Sequence, residues 1–155
     1  MYNAKQIAEF FLARYGSTGS ITPMKLIKLV YIAYGWYLGL TGSKLFQENP
    51  EAWKYGPVIP TIYKEFKAFR NAPIMWINNA EYTTGDETTD SFLDRIWSVY
   101  GSYTGTQLSA KTHMPGTPWF KAWNDVKNHN KVSLQMDHQE IERHYRQLAA
   151  GDVNQ

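Results

Sequence analysis

Cysteine is absent from this sequence of 155 residues, and its absence excludes several classes of protein. Without a thiol there is no disulfide framework, no thiolate nucleophile and no cysteine-ligated zinc site. Long hydrophobic runs are also missing: the apolar, uncharged stretch from Leu29 to Lys44 is shorter than the about 20 residues that cross a bilayer. Residues 1–14 carry charges within an amphipathic pattern, unlike a signal peptide. We therefore expect a soluble, cytoplasmic protein without a membrane partner.

Charged residues are also scarce, whereas aromatic residues are abundant. Asp, Glu, Lys and Arg together make up 19% of the chain, and Phe, Trp and Tyr make up 15%. The hydrophobic fraction of 43% is large enough for a real core, and the length fits one ordinary domain, so residues 1–155 are expected to form a single domain. The many aromatic rings belong either to the core or to a binding surface, because both use such side chains. Composition leaves this choice open.

Positive charge is concentrated in the first half of the chain, but the excess is small. Residues 1–77 hold nine Lys or Arg and four Asp or Glu, whereas residues 78–155 hold seven and ten. A dedicated nucleic-acid binder carries a denser basic surface than this. The charge distribution therefore argues against nucleic acid as the partner.

The spacing of apolar and capping residues predicts a mainly helical fold. We expect about six or seven helices around a buried central helix, with at most a small β element of two or three strands. The central helix is predicted from Pro23 to Leu38, because Thr22 and Pro23 form a strong start signal and the following residues are largely apolar. Lys25 and Lys28, three residues apart, are expected at its solvent-exposed edge. The other helices are predicted to begin near Asn3, Pro60, Asp90 or Ser91, Thr104 or Thr106, Thr117 and Asp137.

Three segments between the helices carry predictions of their own. Gly56 precedes Pro57, which predicts a sharp change of chain direction with a positive φ at the glycine. Residues 74–77 form a short apolar run and are predicted to be a strand or a buried loop. Residues 81–90 are acidic and rich in threonine, which predicts an exposed hairpin or loop.

No combination of residues in the sequence points to catalysis. The glycine-rich stretch 16–20 lacks the Gly-Lys-Ser/Thr ending of a phosphate-binding loop and is interpreted as a connector. His138 and His144 are six residues apart, which places them on different faces of one helix, and no zinc-binding histidine spacing is present. His113 is expected to satisfy backbone carbonyls at a helix end. We therefore predict no enzymatic activity, no metal and no cofactor.

The chain resembles a known family in several runs of residues. These runs are MKLIKLVYIAYGWYL at Met24–Leu38, EAWKYGPVIP at Glu51–Pro60 and YKEF at Tyr63–Phe66. They resemble the Panacea domain, also called the SocA-like antitoxin domain, of which the phage-associated GepA proteins are members. The later segments Leu93–Tyr100, Leu108–His113 and Pro118–Trp123 are similar to the C-terminal part of this family. The resemblance therefore covers nearly the whole chain, and AWKYGPV is its most specific run.

The resemblance implies a mainly helical antitoxin of a type II-like toxin–antitoxin pair. Such a protein neutralises a cognate toxin, encoded by an adjacent gene, by direct protein–protein binding, and one branch of the family delivers its toxin to a host protease as an adaptor. The resemblance implies no enzymatic activity and, at this length, no added domain for binding its own promoter. The alternative is a small nucleic-acid-binding or regulatory protein of phage or prophage origin, which would use the basic stripe of Lys64, Lys67 and Arg70.

The signature residues permit two interpretations. Aromatic anchors with a polar rim are typical of a binding surface, so the aromatic and basic residues of positions 53–67 would contact the toxin. Alternatively, Trp53 and Tyr55 pack beneath the Gly56–Pro57 turn and brace the central helix, while the acidic segment 81–90 sets the choice of partner. We favour this bracing role because family members that meet different toxins share the signature. The candidate signature and partner-surface residues are Trp53, Lys54, Tyr55, Gly56, Pro57, Val58, Tyr63, Lys64, Lys67 and Trp119.

Overall fold

The computed structural model describes residues 1–127 and 134–151 of the chain. Within these residues, seven α-helices and one two-stranded antiparallel sheet confirm the prediction of a mainly helical fold with a small β element. Short 3-10 turns at Gly16–Thr18 and Lys67–Phe69 follow the first and third helices. The elements are α1 Ala4–Tyr15, α2 Pro23–Thr41, β1 Glu51–Trp53, β2 Gly56–Val58, α3 Pro60–Phe66, α4 Glu87–Tyr100, α5 Gly105–Thr112, α6 Pro118–Lys127 and α7 His138–Ala149.

The helices begin largely where the capping residues predict. Asn3 and Gln6 form a capping box at α1, and Thr104 forms a second one with Gln107 at α5. The hydroxyl of Thr22 accepts a hydrogen bond from the first turn of α2, and the carboxylate of Asp137 does the same at α7. These side chains satisfy backbone N–H groups that a helix cannot satisfy itself, so the starting points are encoded locally.

The buried helix α2 lies at the centre of the fold and packs against α1, α4, α5 and α7. The contact of α2 with α7 depends on two glycines of α2. The ring of Tyr145 lies directly against Gly35, and the Cβ of Tyr145 would lie 2.8 Å from a Cβ added to Gly39. Any larger residue at either position would collide with this tyrosine. The predicted central helix is therefore confirmed, although it ends three residues later than expected, at Thr41.

The acidic segment 81–90 is only partly an exposed loop, so the prediction for it is wrong at its C-terminal end. Asp86 caps α4, which therefore begins earlier than predicted. Asp90 lies in the first turn of α4 and is buried, and its carboxylate accepts hydrogen bonds from Thr83 and Thr84. A buried, internally bonded carboxylate does not present itself to a partner.

Residues 74–77 form neither a strand nor a fully buried loop. Ile74 is buried, and its backbone N–H donates to the carbonyl oxygen of Ile21 at 2.8 Å. The next three side chains turn outward, with exposures of 78% for Met75, 37% for Trp76 and 86% for Ile77. The backbone hydrogen bond of Ile74 and an edge-on contact between Trp76 and Phe66 therefore anchor the run, while Met75 and Ile77 lie at the surface.

Candidate functional site

The signature run forms the hairpin of β1 and β2, which is held on both sides. Trp53 pairs with Gly56 at the tight end of the hairpin, and Ala52 pairs with Pro57. On the outer side of β1, the N–H of Ala52 donates to the carbonyl oxygen of Leu134 at 2.8 Å. The hairpin is therefore joined to the segment that precedes α7 and is not an isolated turn.

Lys28 holds the hairpin from the side of α2. Its side chain is 2% exposed, and its Nζ donates to the carbonyl oxygen of Pro57 at 2.7 Å. Burial lowers the pKa of the Lys28 amine to about 7, because the charged form loses its hydration. The prediction that Lys28 lies at a solvent-exposed edge is therefore wrong.

Lys25 is also buried, against the same prediction. Its Nζ donates to the carbonyl oxygen of Gly101 at 2.6 Å and to the hydroxyl of Ser20 at 3.2 Å, and it lies over the ring of Trp97. Burial lowers the pKa of this amine too. Both lysines of α2 therefore serve as internal hydrogen-bond donors that tie distant loops to the central helix.

Gly56 has the positive φ that its place before a proline predicts. Its φ is +113°, a conformation that side-chain-bearing residues rarely adopt. A Cβ at this position would lie 2.9 Å from Nζ of Lys28 and 3.6 Å from Nδ1 of His113. The backbone conformation therefore requires glycine here, and a Cβ would also have to displace the buried amine of Lys28.

Trp119 braces the hairpin from the side of α6. It is 6% exposed, and its indole N–H donates to the carbonyl oxygen of Trp53 at 2.6 Å. The ring of Trp119 also stacks on Trp123 and contacts the ring of His113 edge-on. Trp119 therefore positions the hairpin from inside the fold and does not itself form a surface.

A groove of about 420 Å³ opens on the other side of the hairpin. The first turns of α2 form one wall, the hairpin forms the second, and α3 with the 3-10 turn after it forms the third. Several large apolar side chains around it are exposed, with values of 64% for Tyr55, 40% for Tyr63 and 37% for Met24. The groove is lined by Pro23, Met24, Ile27, Lys28, Trp53, Lys54, Tyr55, Val58, Tyr63, Lys67, Arg70 and Asn71.

The charged residues of this lining are all basic. They are Lys28 at the buried end and Lys54, Lys67 and Arg70 at exposed positions. Nζ of Lys54 lies 5.5 Å from the ring centre of Tyr55, and Nζ of Lys67 lies 6.0 Å from that of Tyr63, within the range of cation–π attraction. The rim therefore presents aromatic rings paired with cations.

The structure brings together six of the ten candidate residues around this groove, while the other four lie outside its lining. Lys64 is exposed outside the lining, Gly56 and Pro57 are buried residues of the hairpin itself, and Trp119 supports the hairpin from α6. The bracing role predicted for Tyr55 is wrong, since its ring is exposed. Trp53 is half-buried and packs edge-on against Tyr63. The six residues that line the groove are Trp53, Lys54, Tyr55, Val58, Tyr63 and Lys67.

The sequence pattern does not reveal the contribution of α2 to this groove, and it shows Arg70 only as part of a basic stripe. Met24, Ile27 and Lys28 lie about 30 residues before the hairpin in the sequence, so only the tertiary fold brings them to it. One signal was available, because Lys28 is followed by an unbroken apolar run, and such surroundings favour burial.

The structure describes three of the four histidines, namely His113, His138 and His144. His113 ends α5 as predicted, where its Nδ1 lies 3.3 Å from the hydroxyl of Ser109. His144 is buried in α7, and burial lowers its pKa. Among residues 1–127 and 134–151, no three His, Asp or Glu side chains are grouped so as to hold a metal ion. No helix in this described part is both long and apolar enough to cross a membrane.

The chain is similar in sequence to known proteins. The profile of the family described as antitoxin SocA-like, Panacea domain, matches residues 26–120, a range that includes the hairpin and α3. Antitoxin SocA of Caulobacter vibrioides (strain NA1000 / CB15N) is 31% identical to this chain over 130 residues, which cover 76% of the chain and 68% of that protein. No solved structure gives a significant match. These matches confirm the resemblance predicted from the signature runs.

Proposed function

Because this chain belongs to the antitoxin SocA-like, Panacea domain family, we propose that it is an antitoxin that neutralises a protein toxin by binding it directly. The toxin is the product of an adjacent gene, and residues 1–155 act as one domain in the cytoplasm. This role requires a binding surface but no chemical step, so the protein acts without catalysis. The observation that carries the proposal is the groove between α2, the hairpin and α3.

Exposed aromatic rings make this groove suitable for binding a protein. Tyr55 and Tyr63 present large, rigid surfaces at a low cost in conformational entropy, and such residues dominate the binding energy of protein interfaces. The basic groups around them supply the polar rim that such interfaces have. The groove also stands on an internally braced hairpin, so its walls are set before a partner arrives, which lowers the cost of binding.

A growth experiment tests the proposal. Expression of the adjacent gene alone should arrest growth, and co-expression of this protein should restore it and allow the two proteins to be purified together. The double variant Tyr55→Ala/Tyr63→Ala should lose the rescue. Leu40→Ala is the matched control, because Leu40 is also exposed but lies at the opposite end of α2. Growth arrest that wild-type protein does not relieve would contradict the proposal.

The same experiment separates two modes of neutralisation. If the antitoxin only covers the toxin, the toxin level in the cell should stay constant when the antitoxin is expressed. If the antitoxin is an adaptor for a host protease, the toxin level should fall and should recover in a strain that lacks that protease.

A further inference from the structure

We propose that the groove binds an acidic segment of its partner protein, with an apolar side chain between Tyr55 and Tyr63 and carboxylates at Lys54, Lys67 and Arg70. This inference rests on the proposed function, since it names the chemistry of the segment by which the toxin is bound. Three separate features of the groove support it.

The first feature is the absence of compensating charge among the described residues. Basic side chains elsewhere in the described structure differ in this respect: Lys5 pairs with Glu65 and Arg146 with Glu142, whereas Lys64 and Lys111 have no carboxylate within 4.0 Å. Lys54, Lys67 and Arg70 come from two separate elements, yet no carboxylate in residues 1–127 and 134–151 lies within 4.0 Å of their charged groups. Like charges held together at one groove favour a ligand of opposite charge.

The second feature is the backbone conformation of Arg70. Its φ is +56°, and in the described part of the chain it is the only residue other than glycine with a positive φ. Such a conformation costs free energy in a residue that has a side chain, and strained residues of this kind concentrate at binding sites. Arg70 ends the 3-10 turn and lines the groove, so the strained backbone contributes a guanidinium group to the binding surface.

The third feature is the apolar base of the groove. Ile27 and Val58 are buried residues of its lining, and Met24 continues this apolar surface outward. A nucleic-acid backbone gains little from such a base, whereas an aliphatic or aromatic side chain gains about 25 cal/mol for each Å² removed from water. A protein segment that combines an apolar anchor with carboxylates therefore matches both the base and the rim.

The buried end of the groove adds a further donor. Lys28 lines this end, and its Nζ donates a hydrogen bond to the carbonyl oxygen of Pro57. A carboxylate that reached this end would meet a fourth basic side chain of the lining.

Selection of peptides from a display library tests the inference on the intact protein. Wild-type protein should enrich peptides in which Asp or Glu adjoins an aromatic or aliphatic residue. The best peptide is then synthesised together with a counterpart in which Asn and Gln replace Asp and Glu, and this counterpart should bind at least tenfold more weakly. Enrichment of neutral or basic peptides, or no enrichment, would overturn the inference.

Substitutions within and beside the groove localise the binding. Lys54→Gln/Lys67→Gln should weaken binding of the acidic peptide at least tenfold, whereas Lys64→Gln/Lys111→Gln, which removes the same charge outside the groove, should change it less than twofold. Arg70→Gly removes the guanidinium group and relieves the strain of a positive φ at this position. It should therefore raise the melting temperature while weakening peptide binding. Equal effects of the two lysine pairs would place the acidic segment elsewhere and overturn the inference.

Three further outcomes separate this inference from its alternatives. A single-stranded DNA oligonucleotide that binds at about 50 mM salt through Lys54 and Lys67, and that displaces the peptide, would replace the protein segment by nucleic acid as the ligand. Rescue from the toxin together with enrichment of neutral peptides would overturn only the acidic segment. Groove-dependent binding of acidic peptides without rescue would overturn only the antitoxin function.

Discussion

The amine nitrogen of Lys28 lies 2.7 Å from the carbonyl oxygen of Pro57, and this hydrogen bond ties the central helix to the hairpin that forms one wall of the groove. The same amine lies beneath Gly56, where no side chain separates it from the turn. A single buried lysine therefore couples the stability of the core to the shape of the candidate binding surface.

We expect Lys28→Met to reduce the dependence of stability on pH between pH 7 and pH 9. The pKa of Lys28 is about 7 in the folded protein and about 10.4 in an unfolded chain, so the unfolded state binds more protons in this range. Stability therefore rises with pH across this window, and the part of this rise that is due to Lys28 is about 2 kcal/mol. Urea unfolding at several pH values measures the slope.

The comparison with Met isolates Lys28 from other groups that titrate nearby in pH. Burial also lowers the pKa values of Lys25 and His144. Both groups make the same contribution to the pH dependence of stability in the wild-type protein and in Lys28→Met, so the comparison removes it. The buried tyrosines have raised pKa values and destabilise the fold only above about pH 10. An unchanged slope in Lys28→Met would mean that the lysine stays charged in the folded protein.

We expect Gly56→Val to destabilise the protein by about 2–4 kcal/mol. The substitution forces a branched residue into a φ of +113° and places a Cβ 2.9 Å from Nζ of Lys28. Gly85→Ala is the control, because Gly85 has a φ of +91°, also beyond the left-handed helical region, but no atom within 4 Å of the added Cβ. A larger loss in Gly56→Ala than in Gly85→Ala in thermal unfolding is expected from the contact with Lys28, and equal losses would show that Lys28 moves aside without cost.

Local signals explain which parts of the fold were predictable. Each capping side chain accepts a hydrogen bond from a backbone N–H only two or three residues later, so the sequence alone predicts these helix starts. The capping residues are Asn3, Thr22, Thr104 and Asp137. Asp90 was misplaced because its partners Thr83 and Thr84 precede it in a loop whose path is set by the tertiary fold. Capping is encoded locally, whereas burial of a charge is not.

The candidate site was predicted in part for the same reason. The hairpin and α3 are close in sequence, so Trp53, Tyr55 and Tyr63 could be grouped from their spacing. The spacing of Lys25 and Lys28, by contrast, is also that of a solvent-exposed pair. Their carbonyl partners, in Gly101 and Pro57, are 76 and 29 residues away. Only the packing of other segments over the start of α2 decides that these amines are internal.

We expect Trp119→Phe to destabilise the protein by about 1–3 kcal/mol, because it removes the indole donor that bonds the partly buried carbonyl oxygen of Trp53. The hairpin wall should also become less well fixed, so binding of the partner should weaken. Trp123→Phe is the control, since Trp123 is half-buried and stacks on Trp119. The same substitution at this position keeps an aromatic ring and leaves the hydrogen bond from Trp119 to Trp53 in place. Calorimetric unfolding and a binding titration measure the two effects, and a stable variant with intact binding would contradict this role of Trp119.

We expect Asp90→Asn to destabilise the protein at pH 7 and to reduce its loss of stability in acid. Burial alone would raise the pKa of Asp90, but hydrogen bonds from Thr83 and Thr84 and the charge of Arg14 outweigh burial and hold the pKa below its usual value. Because the pKa is lower in the folded state, the stabilisation is present above the unfolded value of about 3.9 and is lost as the pH falls through the folded value.

Unfolding by urea at pH 7 and at pH 3 distinguishes Asp90 from the other carboxylates. The wild-type protein should lose more stability between these pH values than Asp90→Asn does, since the amide cannot be protonated. Glu87→Gln is the matched control, because Glu87 lies one turn earlier in α4 but is exposed. It should keep the acid sensitivity of the wild-type protein. Equal acid sensitivity in Asp90→Asn and Glu87→Gln would assign the effect to other groups, of which Glu140, whose pKa is also lowered, is the first to examine.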